Sequence, residues 1–84
     1  MYNILVDRAG EEIKRGRAAN KEDLIKLLKP NEIKCIFEHE AWNYIEDLFK
    51  FIISQKESIF LNLNGIQVTA ISNGFNITTL VFYF

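Results

Sequence analysis

From Ile59 to Phe84 the chain reads IFLNLNGIQVTAISNGFNITTLVFYF, a segment in which apolar and polar residues alternate and no Asp, Glu, Lys, Arg or His occurs. Alternation with period two predicts β-strands whose successive side chains point to opposite faces. Asn64-Gly65 and Asn73-Gly74 are both signals for two-residue type I′ hairpins. If both close that way, Leu63 faces Ile66, Leu61 faces Val68 and Ile59 faces Ala70. In the second hairpin Ser72 then faces Phe75, Ala70 faces Ile77 and Val68 faces Thr79. The expected product is a three-stranded meander with two faces. Ile59, Leu61, Leu63, Ile66, Val68, Ala70, Ile77, Val81 and Tyr83 form the face expected in the core. Phe60, Asn62, Gln67, Thr69, Ile71, Asn76, Thr78, Leu80, Phe82 and Phe84 form a second face without charge. A transmembrane helix is excluded here, because the Asn and Gln amides would lack partners in hydrocarbon and two Asn-Gly turns would break it.

The earlier residues carry every charge and a different pattern. YNILV at 2–6 suits a strand, and DRAG at 7–10 a turn in which Gly10 can take positive φ. EEIKRGRA at 11–18 fits either a returning strand or irregular chain. Asn20 is placed to cap a helix with Asp23 in its first turn and Leu24, Leu27 and Leu28 on one face. Pro30, the single proline, marks a stop between two elements. IKCIF at 33–37 alternates as a half-buried strand would. From about Glu40 to Ser54, Ala41, Ile45, Leu48, Phe49, Ile52 and Ile53 recur at helical spacing. The expected fold is a single α+β domain over 1–84: a mostly antiparallel sheet containing the C-terminal three-stranded meander, with two helices packed on one face. The strand LVFYF needs its free edge paired by YNILV, by IKCIF or by a second copy of the chain.

Composition narrows the function classes. The net charge of −1 supplies no global field to attract nucleic acid or anionic lipid. A single cysteine cannot form an internal disulfide and fits a reducing compartment. Asp7 and Arg8 interrupt the first apolar run before a secretory signal could form, so a cytoplasmic location is expected. Asn, Ile, Lys and Phe account for 34 of 84 residues. AT-rich codons favour that bias, which suggests a low-GC genome such as that of a virus or mobile element.

Three constellations could carry chemistry. Cys35, Glu38, His39 and Glu40 lie within six residues, a spacing open to a thiol nucleophile or a metal. Against this, Cys35 alternates with Ile33 and Phe37 like a core residue, the glutamates suit a helix start, and no second His or Cys exists. No catalytic residue, metal or cofactor is therefore expected, and the chain does not read as an enzyme. Lys14, Arg15, Arg17 and Lys21 form a basic run that could hold nucleic-acid phosphates. Glu11, Glu12, Glu22 and Asp23 interleave with it and no aromatic residue stands among them. Glu38, Glu40, Glu46 and Asp47 could mimic phosphates or simply line a solvated helix. Asn76-Ile77-Thr78 matches a glycosylation acceptor by chance in an Asn-rich sequence.

The feature that ordinary solvent-facing strands lack is an uncharged second face. That face points to a non-catalytic protein–protein interaction protein of inhibitor, immunity or accessory type, binding and occluding a protein partner. Its expected interface is Phe60, Ile71, Leu80, Phe82 and Phe84, with self-association as a homodimer, and nucleic-acid binding through Lys14, Arg15, Arg17 and Lys21 is the alternative.

Overall fold

A computed structural model describes residues 1–37, 57–63 and 65–84. The expected helix at 40–54, and with it Glu38, His39, Glu40, Glu46 and Asp47, lies outside the described residues. The described elements run β1 (Tyr2–Arg8), β2 (Glu11–Ala18), α1 (Lys21–Leu27), α2 (Pro30–Phe37), β3 (Ile59–Leu63), β4 (Ile66–Ser72) and β5 (Ile77–Tyr83). The strands form one sheet in the order β2-β1-β5-β4-β3. Every pairing is antiparallel except β1 with β5, which is parallel. The α+β class and the mostly antiparallel sheet are as expected. YNILV is the strand that closes the edge of LVFYF, and Phe84 N–H extends that pairing by donating to the Asp7 carbonyl at 3.0 Å.

EEIKRGRA is a strand. It returns from the turn at Ala9 and Gly10, both with positive φ, where Gly10 N–H donates to the Asp7 carboxylate. Asn20 caps α1 as its position implies: Asn20 Oδ1 accepts the Asp23 amide at 3.0 Å, and Asp23 accepts the Ala19 amide in return. Leu24 and Leu28 are buried beneath that helix.

The strand expected at 33–37 is instead α2. Pro30 stands at the first helical position, where its fixed φ fits and its missing N–H leaves no bond unmade. Glu32 reaches back to accept the Lys29 N–H at 2.8 Å, half of a capping box. Buried Ile36 then lies one turn from half-buried Ile33, a helical spacing that the alternation of Ile33, Cys35 and Phe37 concealed. Cys35, expected in the core, is exposed.

The first hairpin has the expected register: Leu63 faces Ile66, Leu61 faces Val68 and Ile59 faces Ala70. The second does not. Asn73 Oδ1 accepts the amides of both Phe75 and Asn76, and Asn73 N–H donates to the Asn76 carbonyl. The loop therefore holds four residues, and Ser72 pairs with Ile77. A bulge follows, in which Thr78 has no partner between the Ser72–Ile77 and Ile71–Thr79 pairs. Beyond it Ala70 faces Leu80 and Val68 faces Phe82. The displacement is odd, so β5 turns over. Leu80 and Phe82 enter the core, Phe84 packs against it half-buried, and Val81 and Tyr83 move to the opposite face. The core groups them with Ile4, Val6, Ala18, Leu24, Ile36, Val68 and Ala70.

Candidate interaction surface

The face of the sheet opposite α1 and α2 is built from three rows of side chains that the pairing aligns. One row crosses Arg17, Asn3, Thr79 and Ile71; the next Lys14, Leu5, Val81, Thr69 and Phe60; the third Glu12, Asp7, Tyr83, Gln67 and Asn62. Its charges stand only on β1 and β2, where Lys14 and Arg17 are matched by Asp7 and Glu12. Toward β3 the face becomes apolar and amide-bearing. Phe60 is 62% exposed and Ile71 41% exposed, while Val81, on β5 nearer the centre of the sheet, is buried.

The two edges of the sheet differ in the same way. β2 carries Glu11, Glu12, Lys14, Arg15 and Arg17 and a bulge, features that discourage strand addition. β3, IFLNL, carries no charge and no proline, and its pairing with β4 is regular. Among the described residues no strand pairs with its outer edge.

Of the residues expected to form one interface, Phe60 and Ile71 stand on this open face. Leu80 and Phe82 are fully buried on the other side, beneath the helices, and Phe84 packs there too. The five do not make one surface; the turned-over β5 is the reason. The four cations of the basic run are also separated. Lys14 and Arg17 stand on the open face, Lys21 begins α1, and Arg15 points the other way, into the layer between sheet and helices.

Arg15 owes its direction to the β2 bulge. Ile4 pairs with Gly16 and Leu5 with Lys14, so Arg15 is the extra residue and its side chain is diverted toward the helices. There its guanidinium donates to both oxygens of Glu32 at 2.9 and 3.0 Å and to the Leu27 carbonyl at the end of α1. Arg8 adds a bond to Glu32 at 2.9 Å and lies over the Phe84 ring, 5.3 Å from its centre. Glu32 is fully buried with four donors on its carboxylate. Burial pushes its pKa up, but the bonds from Arg15, the Lys29 amide and Arg8 outweigh that and hold it at about 2. Gly16 makes room beside this clamp: a Cβ there would lie 2.8 Å from Leu27 Cδ2. The clamp ties β1, β2, α1 and α2 together. The signal for it in the sequence was Glu32 three residues after Lys29 with Pro30 between; the bulge that delivers Arg15 has none.

A cleft of about 550 Å³ opens where β1 begins and β2 ends, lined in part by Tyr2, Asn3, Arg17, Asn73, Asn76 and Thr78. Two of its amides are engaged in structure, Asn3 donating to the Thr78 carbonyl and Asn73 closing the β4–β5 loop. Burial raises the pKa of the Tyr2 phenol above its ordinary value. Among the described residues no helix is long and apolar enough to cross a membrane, and no group of three or more His, Cys, Asp or Glu side chains could hold a metal. The chain matches no protein-family model, no curated protein and no solved structure.

Proposed function

We propose that the chain is a non-catalytic protein–protein interaction protein that binds and occludes a protein partner across the open face of its sheet. One observation carries this reading: Phe60 and Ile71 are exposed on a face whose β3 and β4 strands contribute no charge. Solvent-facing strands ordinarily use Lys or Glu to stay soluble and unpaired. An exposed apolar patch rimmed by Asn62, Gln67 and Thr69 has the composition of a binding surface. An inhibitor, immunity or accessory role in the cytoplasm fits such a surface. The coding bias toward Asn, Ile, Lys and Phe supports a viral or mobile-element source.

Nucleic-acid binding is less well supported. It would have to rely on Lys14 and Arg17, because Arg15 is engaged by Glu32, and Asp7 and Glu12 stand in the next row of the same face.

The test is site-specific photocrosslinking with p-benzoylphenylalanine at position 71, in cells of the source organism, with the same group at exposed Lys34 on α2 as control. The expected result is a discrete adduct to a foreign protein from position 71 and none from position 34. No adduct, the same adduct from both positions, or only a product of twice the chain's mass would overturn it.

A further inference from the structure

We infer that the outer edge of β3 is a self-pairing surface, at which two copies join antiparallel about a twofold axis through Leu61 to make one continuous sheet. This rests on the reading of the β3 side of the sheet as the working surface, and goes beyond it by fixing the occupant of the edge.

Backbone geometry sets the register. A two-residue connection makes Leu63 and Ile66 a hydrogen-bonded pair. In an antiparallel ladder such pairs alternate, so Leu63, Leu61 and Ile59 turn their N–H and C=O groups toward β4. The N–H and C=O of Phe60 and Asn62 then point outward, an unsatisfied set of two donors and two acceptors. A twofold axis at Leu61 sets Phe60 opposite Asn62 of the second copy, and Asn62 opposite its Phe60. All four pairs of outward groups then meet, giving four backbone hydrogen bonds from one strand of five residues.

Side chains and charge agree with that register. Residues directly opposite share a face, so Ile59 remains on the helix side and Phe60 and Asn62 on the open side. The two Phe60 side chains become diagonal neighbours, about 7–8 Å apart and within reach of aromatic contact. Each would cover part of the 62% of Phe60 that a single chain leaves exposed, while the outer faces of both rings stay open to a partner. The nearest charge on this segment is Glu57. In this register it stands opposite Gly65, and the two copies of Glu57 are roughly 27 Å apart at about 3.4 Å per residue. On this segment of the described residues no like charges are brought together.

The test is sedimentation of the full chain over a hundredfold dilution series, beside Phe60→Pro and Phe60→Lys. Proline removes an N–H that β4 does not use and is tolerated on an edge strand, and lysine is the residue that natural edges use against pairing. The expected result is a dimer that dissociates on dilution, with Phe60→Lys monomeric at every concentration and its circular dichroism unchanged; Phe60→Pro, where folded, behaves likewise. A wild-type chain monomeric throughout, or a dimer that Phe60→Lys leaves intact, would overturn the inference. Neither result touches the adduct expected from position 71, so loss of the self-pairing edge and loss of the open-face reading are separable.

Discussion

Replacing Glu32 by Gln isolates the buried clamp with little change of shape. The folded carboxyl titrates at about 2 against an ordinary 4.5. A displacement of that size corresponds to about 3 kcal/mol of stability, a large fraction of the roughly 4–12 kcal/mol available to a chain this long. The sign follows from the lowered folded value. The contribution is complete above pH 4.5 and is lost as pH falls toward 2. Glutamine removes the charge and replaces one acceptor oxygen with an N–H₂ group, leaving the guanidinium of Arg15, only 14% exposed, with one carboxamide oxygen and the Leu27 carbonyl. Breaking a buried pair from one side costs about 3–5 kcal/mol. Glu32→Gln is therefore expected to be about 3 kcal/mol less stable at pH 7 by urea unfolding, a midpoint lower by roughly 2–3 M at a slope near 1 kcal/mol/M. At pH 2 the two proteins should converge as wild-type Glu32 takes up its proton. Parallel stability curves from pH 7 to pH 2, or a difference under about 0.5 kcal/mol at pH 7, would refute the clamp.

Phe82→Lys places an ammonium at a fully buried position, and loss of the folded circular dichroism signal is expected; a folded variant would show that β5 is not turned over. Gly16→Ala puts a side chain at φ +147° against Leu27, and a loss of about 1–2 kcal/mol in thermal unfolding is expected. A neutral result there would mean that the β2 bulge relaxes without cost.

The sequence was most legible where one residue type determined geometry. Asn64-Gly65 set the first hairpin, Asn20 set the start of α1, and the apolar run YNILV made a strand that had to find an edge. It was least legible where a side chain competed with the backbone. Asn73 uses its own carboxamide to hold a four-residue loop, and Thr78 adds a bulge. Neither is unusual alone, but their combined odd displacement moved Leu80, Phe82 and Phe84 from the open face to the core. At 33–37 a period of two and a period of 3.6 both fitted five residues; Pro30 and the backward reach of Glu32 decided for the helix. The β3–β4 part of the open face was legible as uncharged, and Phe60 and Ile71 as members of it, because the first hairpin and the pleat alone place them there. The contact between Arg15 and Glu32, 17 residues apart, depends on a bulge that no local pattern announces.

Amide hydrogen exchange at Phe60 and Asn62, measured by NMR at dilute and at hundredfold higher protein, tests the self-pairing edge most directly. Self-pairing requires both amides to exchange freely in dilute solution and to become protected on concentration, while Leu61 and Leu63, bonded to β4, stay protected throughout. Phe60 and Asn62 exchanging equally fast at both concentrations would contradict it.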